Sequence, residues 1–220
     1  MRLPGVQGIV LAVAMMPAAG LAQQPAAQPV SEPQAGETVR LQVNFQSCRR
    51  TRGTGNLLCT FYGGGVKYYA TKDTDTHVAT FRRLQDSAPG TPMVAEGRIA
   101  QAFGGTAEIH LDMVSGRVAG PLDRVLQSLQ GKWVSESDRN DEFTITGSER
   151  RGYYAGLSTL TESISVQDSC GSASGRPPYM YAYDGEGGVG MCYEVISASE
   201  DELVLNYLPR GTRLRYLRKR

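Results

Sequence analysis

The sequence predicts an all-β protein made of two small domains joined by one short helix. After residue 38, short apolar runs alternate with polar residues at a period of two, which is the pattern of half-buried strands. The composition agrees, since 26 glycines and 11 tyrosines among 220 residues favour turns and strands. One segment, residues 121–130, instead has the i, i+3, i+4, i+7 apolar spacing of a helix.

The first 22 residues have the pattern of a secretory signal peptide. Arg2 precedes an apolar run at 8–16, and the small residues at 18–22 predict cleavage after Ala22. The alternative is a membrane anchor, but the run is too short for a hydrocarbon core about 30 Å thick and no basic flank follows it. We therefore expect export to the periplasm and no membrane span in the mature chain. Residues 23–37, rich in Pro, Ala and Gln, are expected to form a disordered linker.

Four cysteines follow the predicted signal peptide, and an even number suits disulfides in an oxidising compartment. Several pairings are possible. We favour Cys48–Cys59 and Cys170–Cys192, because each pair flanks a predicted hairpin, and each bridge would stabilise by roughly 2–4 kcal/mol. Zinc binding is the alternative, but neither spacing is CxxC. We expect no metal and no cofactor.

Residues 38–118 are predicted to form a small antiparallel domain. Leu41, Val43 and Phe45 share one face of its first strand. Glycine- and proline-containing turns separate the strands that follow, which are predicted at 57–62, 66–70, 77–84, 93–101 and 106–114. The last part, residues 89–114, resembles the middle of a small OB-type barrel.

Residues 119–220 are predicted to form the helix and then a second β domain. Pro121 suits the first position of the helix, which runs to residue 130. Eight short strands with turns between them predict an up-and-down barrel or a flattened sandwich. They are predicted at 132–135, 142–146, 152–157, 163–167, 180–183, 191–197, 203–207 and 213–217.

This second domain resembles the lipocalin-like (calycin) barrels. The resemblance rests on Gly131-x-Trp133 at the first strand, on the series of antiparallel strands, and on Arg213 and Arg215 in the last strand. In that superfamily a G-x-W opens the barrel and an arginine near the last strand packs across the tryptophan. The resemblance therefore implies that Gly131, Trp133 and either Arg213 or Arg215 close the barrel, with a cation–π contact worth about 0.5–2 kcal/mol.

The resemblance covers residues 131–220, and it is to barrels of the kind found in uncharacterised exported bacterial proteins. This length is nearer to that of exported bacterial barrels that inhibit proteases or lysozyme than to that of a full lipocalin. The resemblance to those exported proteins implies no activity.

The motifs of common enzymes are not supported. A GxGxxG at 185–190 precedes a predicted strand rather than a helix, so it reads as a hairpin turn. The segment 171–175 has Ala173 where a GxSxG elbow needs serine, and the imidazoles His77 and His110 fit polar turn and strand positions. Paired carboxylates stay open, because spatial pairing is not visible in a sequence; the candidates are Asp138, Asp141, Glu142, Asp184 and Glu186.

Two surfaces are candidates for binding. Arg49, Arg50 and Arg52 lie on the turn inside the first predicted disulfide, where a rigid basic tip could enter an acidic cleft; a solvated hairpin tip is the alternative. The other surface is a tyrosine ladder that alternation places on one face of a strand, which suits an interface or an ordinary cross-strand stack. Its members are Tyr179, Tyr181 and Tyr183.

The charge balance narrows the class of partner. The chain has a formal net charge of +1, and Arg2 contributes one positive charge to the predicted signal peptide. A mature chain without net charge is not expected to bind nucleic acid. We therefore expect a non-catalytic periplasmic binding or inhibitory protein, whose partner is a protein, a glycan or a small apolar ligand. The alternatives are a carrier of small apolar ligands in the barrel interior and an envelope hydrolase with paired carboxylates.

Overall fold

The computed structural model describes residues 33–72, 78–170, 175–183, 190–208 and 210–219. The predicted signal peptide lies outside these residues, as do positions 23–32 of the predicted linker. The same holds for His77, for positions 171–174 and for positions 184–189, which include Asp184 and Glu186.

Two closed β-barrels follow one another along the chain. The elements of the first are β1 (Thr38–Arg50), β2 (Leu57–Gly63), β3 (Val66–Thr71), α1 (Val78–Gln85), β4 (Pro92–Phe103) and β5 (Thr106–Gly116). Helix α2 (Pro121–Ser128) leads into the second, whose strands are β6 (Gly131–Ser135), β7 (Asp141–Thr146), β8 (Glu149–Tyr154), β9 (Leu157–Gln167), β10 (Tyr179–Tyr183), β11 (Met191–Ala198), β12 (Glu202–Tyr207) and β13 (Thr212–Arg218). The prediction of a mostly β protein with a small N-terminal β domain, a short helix and an eight-strand C-terminal barrel is confirmed, whereas the N-terminal domain has five strands instead of the six predicted.

The N-terminal barrel has the strand order β1-β2-β3-β5-β4, and β4 closes it by pairing with β1. This order, with a helix between β3 and β4, is the arrangement of an OB fold. The core forms because alternate residues of the strands point inward; Phe45 of β1 meets Phe61 of β2 edge to face, with ring centroids 6.0 Å apart.

Two details of the N-terminal prediction are wrong. The barrel is not purely antiparallel, because β3 and β5 run parallel. The segment 77–84 is not a strand, since residues from Val78 onward form α1. Phe81 and Leu84 are both buried against the barrel, and a spacing of three places side chains on one face of a helix but on opposite faces of a strand.

The C-terminal barrel is an up-and-down meander in which each strand pairs antiparallel with the next and β13 returns to β6. Its topology is compatible with a lipocalin-like barrel. The predicted strand 152–157 is wrong in its bounds, since it crosses the turn between β8 and β9. That turn forms at Ala155 and Gly156, whose φ angles of 49° and 80° are both positive.

Arg218, rather than Arg213 or Arg215, covers Trp133. The Arg218 guanidinium lies 4.1 Å from the centroid of the Trp133 ring, because the two residues are register partners between β13 and β6. Arg213 is exposed, and Arg215 forms ion pairs with Glu202 and Glu136 outside the barrel. The arginine that covers Trp133 thus lies three residues after Arg215 and five after Arg213.

Gly131 lies beside this closure. Its φ of 116° is in the region that favours glycine, and a Cβ there would run into the Arg218 guanidinium. The glycine therefore leaves room for the arginine that covers Trp133.

Both predicted disulfides are present. Cys48 and Cys59 are register partners in β1 and β2, with Cα atoms 4.0 Å apart. Cys170 and Cys192 join the segment after β9 to β11, with Cα atoms 6.3 Å apart. Two disulfides suit a secreted or extracellular protein. Within the described ranges, no helix is long and apolar enough to cross a membrane.

Candidate functional site

A cavity of about 340 Å³ lies between the two barrels. The N-terminal barrel contributes one wall, the C-terminal barrel the opposite wall, and the segment around the start of α2 the floor. Its lining comprises Gln42, Asn44, Tyr62, Gly63, Gly64, Gly65, Arg117, Gly120, Pro121, Leu122, Asp123, Ser148, Ile164, Ser165, Val166 and Tyr183. We call this space the interbarrel cleft.

The two barrels are held together at the β7–β8 turn, beside the cleft. Gln46 occupies a β-bulge in β1, which turns its side chain toward the second barrel. Its amide donates to the Thr146 carbonyl at 2.8 Å and accepts from the Ser148 N–H at 2.7 Å. Gln130 makes a matching pair of hydrogen bonds with Gly147, at 3.0 and 2.6 Å. The Gln46 bonds cross from one barrel to the other, and we call them the amide clamp, whereas the Gln130 bonds lie within the C-terminal domain and fix the turn that Gln46 contacts.

The glycines of the β2–β3 turn form part of the N-terminal wall. A Cβ on Gly63 would lie 2.5 Å from the Gln42 carbonyl oxygen and 2.9 Å from Val43 Cγ1, so the position has no room for a side chain. Gly64 and Gly65 take φ angles of 57° and 76°, which glycine adopts without strain. The missing side chain at Gly63 therefore makes room for β1, and the cleft wall at this turn is glycine backbone.

A bidentate ion pair forms the floor of the cleft. Arg117 donates through Nη1 and Nη2 to the two carboxylate oxygens of Asp123, at 2.5 and 2.7 Å, and the Gly120 N–H donates to the same carboxylate at 2.8 Å. Burial acts to raise the pKa of Asp123, but the hydrogen bonds from Arg117 and Gly120 outweigh it and the pKa is lowered. The floor is therefore a charge-compensated unit.

Two tyrosines, one from each barrel, border the cleft. Tyr62 donates its hydroxyl to Glu149 at 3.0 Å, and burial, followed by the negative charge of Glu149, raises the pKa of Tyr62. Burial, with a smaller effect of Tyr181, raises the pKa of Tyr183 to about 12. Both hydroxyls therefore remain protonated at physiological pH and offer hydrogen bonds rather than charge.

Two residues that line the cleft each have one buried polar atom without a hydrogen-bond partner among the described residues. They are Asn44 Oδ1, an acceptor, and Arg117 Nε, a donor. Both atoms are closed off from solvent, as are the unpartnered Arg150 Nε and Glu162 Oε2 inside the C-terminal barrel. The missing partners therefore do not mark the cleft as a ligand site.

The predicted tyrosine ladder lies on the outer face of β10 and reaches the cleft with one member. The rings of Tyr181 and Tyr183 stack with centroids 5.6 Å apart, and Tyr183 lines the cleft. Tyr179, at the other end of the strand, is buried and packs close to Gly175.

The predicted basic tip lies away from the cleft. Arg49, Arg50 and Arg52 are exposed at the β1–β2 turn, where Arg50 Nη1 donates to the Gly55 carbonyl at 3.0 Å. Gly63, in the cleft wall, ends the same strand β2 that begins at this turn, so about 20 Å separates the two features. The structure therefore does not bring the arginines and the tyrosines together.

Sequence reasoning missed most of the cleft residues, among them Gln42, Asn44, Arg117 and Asp123. Two signals were available: the three glycines that follow β2, and the spacing of Gly120, Pro121 and Asp123, which is that of a capped helix start. Neither signal shows that the two segments meet.

The interior of the C-terminal barrel is occupied by side chains. Apolar residues such as Trp133 and Met180 are fully buried there, together with an ion pair between Arg150 and Glu162, whose Nε and Oε2 atoms are 3.3 Å apart. The Arg150 guanidinium lies 5.0 Å from the Phe143 ring centroid. In the part of the chain that the structure describes, no group of three His, Cys, Asp or Glu side chains is placed to hold a metal ion.

Comparison with protein-family models, curated proteins and solved structures finds no match to this chain. The fold and the cleft alone define its class: a disulfide-bonded protein of two β-barrels with a polar cleft between them.

Proposed function

We propose that the protein is a non-catalytic binding protein of the periplasm that takes its ligand in the interbarrel cleft. The observation that carries the proposal is the cavity of about 340 Å³ between the two barrels, which polar side chains such as Gln42, Ser165 and Tyr183 line. The disulfides support export, as does the signal peptide expected at residues 1–22.

The charged groups near the cleft support binding rather than catalysis. Arg117 and Asp123 neutralise each other, and Glu149 is shared by the Tyr62 hydroxyl, Lys67 at 3.8 Å and Arg151 at 3.3 Å. The lowered pKa of Asp123 keeps its carboxylate ionised, which suits a structural ion pair rather than a general acid.

Three of the five candidate carboxylates of the hydrolase alternative belong to the described residues, and these three lie outside the cleft lining. Asp138 precedes β7 and Asp141 begins it. Both are therefore at the far end of the strand from Thr146, whose carbonyl accepts a hydrogen bond from Gln46. Glu142 is bound by Lys132 and Lys219, at 3.2 and 2.5 Å.

Blocking the cleft tests the proposal. Ser165→Trp places a large side chain in the cleft, whereas Ser158→Trp makes the same change at an exposed position of the same strand, β9. Native mass spectrometry of each protein, purified from its own cell envelope, should show a bound small molecule on the parent and on Ser158→Trp but not on Ser165→Trp. A ligand retained by Ser165→Trp would refute the cleft as its site.

A second candidate function is inhibition of another protein through the basic tip. The tip is exposed, and it is held by the Cys48–Cys59 disulfide and by a hydrogen bond from the Thr51 N–H to the Asn56 carbonyl at 2.9 Å. Because the turn is already constrained, it would lose little conformational freedom on docking. Replacing Arg49, Arg50 and Arg52 by Ala should abolish binding to an acidic-cleft target while leaving the cleft ligand in place. Unchanged target binding by this variant would end the idea.

The carrier alternative is less well supported, because side chains occupy the barrel interior. Kinship with lipocalin-like barrels is also proposed on two features: the eight-strand order and the arginine that covers Trp133.

A further inference from the structure

We infer that two copies of the protein associate through the open edge of β9, in the hairpin that β8 and β9 form. The inference goes beyond the proposed function, because it concerns a surface outside the interbarrel cleft and a partner that is a second copy of the chain. Three properties of the β8–β9 hairpin lead to it: a strand edge without a neighbour, a group of exposed apolar side chains and an absence of charge.

The two halves of β9 differ in their neighbours. Residues 163–167 pair with β8 or its preceding turn on one side and with β10 on the other. Residues 157–161 pair with β8 alone, and no strand among the described residues meets their other edge. The register shifts between Gly152 and Tyr153, which marks a β-bulge that bends β9 between its two halves. Backbone N–H and C=O groups of the first half are therefore available to another strand.

Exposed apolar side chains surround this edge. Leu157 is 74% exposed, Leu160 is 40% exposed, and Tyr154, the register partner of Leu157 in β8, is 52% exposed. Together they expose roughly 350 Å² of surface, which is within the range of about 300–600 Å² reached by the largest apolar patch of a typical monomer. No other part of the described chain as short as this hairpin has three exposed large apolar side chains. Burial of this patch would favour association.

The open edge carries no charge of its own. Residues 157–161 have the sequence Leu-Ser-Thr-Leu-Thr, without an acidic, basic or proline residue. Natural proteins commonly protect an exposed strand edge with a lysine or a proline, and neither is present here. A second copy presents the same uncharged edge, so no like charges meet in an antiparallel pairing. A strongly charged partner would find no counter-charge at these five positions.

The available area predicts a weak dimer. Pairing the two edges and covering the three apolar side chains on each copy would bury roughly 1,000–1,200 Å² in total, near the lower limit of specific interfaces. An interface of this size corresponds to a dissociation constant of about 10–100 µM. The same surface is used on both copies, so assembly ends at two.

Sedimentation equilibrium of the full mature protein, up to a concentration of about 1 mM, tests the inference. We expect a monomer–dimer equilibrium. Leu157→Lys places the same charge on both copies at the interface and should weaken the dimer about 10-fold or more. Val118→Lys makes a similar change at a side chain that is 93% exposed and lies outside the hairpin, so it should leave the equilibrium unchanged.

Backbone amide NMR locates the interface in the unmodified protein. As the concentration rises, the amide signals of residues 157–161 should shift, whereas those of residues 163–167, which already pair with β10, should stay in place. This measurement needs no variant, so it holds even where a substitution disturbs folding.

The outcomes are distinct from those of the proposed function. A protein that stays monomeric at about 1 mM overturns the inference. So does a dimer that Leu157→Lys and Val118→Lys weaken equally, or one whose amide shifts lie away from residues 157–161. Ser165→Trp blocks the cleft on the part of β9 that already pairs with β10, so it should remove a cleft ligand and keep the dimer.

Discussion

Arg218 closes the C-terminal barrel through contacts that the other arginines of β13 do not make. Its guanidinium covers the Trp133 ring and donates to two backbone carbonyls. One belongs to Ser128, the last residue of α2, and the other to Gln130, two residues after the helix. It therefore ties the last strand, the first strand and the preceding helix together.

Arg218→Met should lower the free energy of unfolding by about 2–3 kcal/mol, because it removes a cation–π contact and charged hydrogen bonds. Urea unfolding followed by the fluorescence of Trp133, the single tryptophan, measures this change. Arg213→Met replaces an exposed arginine of the same strand and should change the free energy by less than about 0.5 kcal/mol. Equal effects of the two substitutions would contradict the role of Arg218.

The Arg150–Glu162 pair places two charges inside the same barrel. Burial acts to lower the pKa of Arg150, but the negative charge of Glu162 outweighs it, so the pKa is raised and the guanidinium stays protonated. Glu162→Gln leaves a buried cation without its counter-charge and should cost about 3–5 kcal/mol of stability in thermal or urea unfolding.

The double variant Arg150→Met with Glu162→Leu removes both charges and should recover much of the stability lost by Glu162→Gln. A double variant no more stable than Glu162→Gln would show that the charge balance is not what matters at this pair.

At the scale of elements, α2 depends on the carboxylate at its start. Because the pKa of Asp123 is lower in the folded protein than its ordinary value of 3.8, the ionised group stabilises the fold above that value. This contribution is lost as the pH falls through the folded pKa. The stability of the parent should therefore decline more steeply below pH 3.8 than that of Asp123→Asn, which has no such group to titrate.

Measuring the free energy of unfolding of both proteins from neutral to acidic pH tests this expectation. The difference between them should be largest at neutral pH and should shrink on acidification. Parallel curves would mean that the ion pair with Arg117 contributes no pH-dependent stability.

The whole molecule depends on the amide clamp between its barrels. Gln46→Ala removes the hydrogen bonds to Thr146 and Ser148 and leaves the Ser148 N–H buried without its partner. We expect about 1–3 kcal/mol of destabilisation, a broader distance distribution in small-angle X-ray scattering, and weaker binding in the cleft. Gln101→Ala changes an exposed glutamine of the same barrel and should alter none of these. Unchanged scattering from Gln46→Ala would show that the barrels are held mainly by other contacts.

Local patterns in the sequence were enough to predict the strands, helix α2 and both disulfides. Alternation predicts a strand wherever one face is buried, and the leucine stripe after Pro121 predicts a helix, because both patterns depend on neighbouring residues alone. The same reasoning failed at α1, where a run with Phe81 and Leu84 three residues apart was interpreted with the wrong period.

Contacts between distant segments were decided only by the tertiary structure. The sequence pointed to an arginine over Trp133, but the register of β13 against β6 selects Arg218. Likewise, Asn44 and Arg117 carry no motif of their own, and they share a cleft because the two barrels meet where the bulge at Gln46 contacts the turn at Gly147. Register and docking depend on how whole surfaces fit, and a one-dimensional pattern does not record that fit.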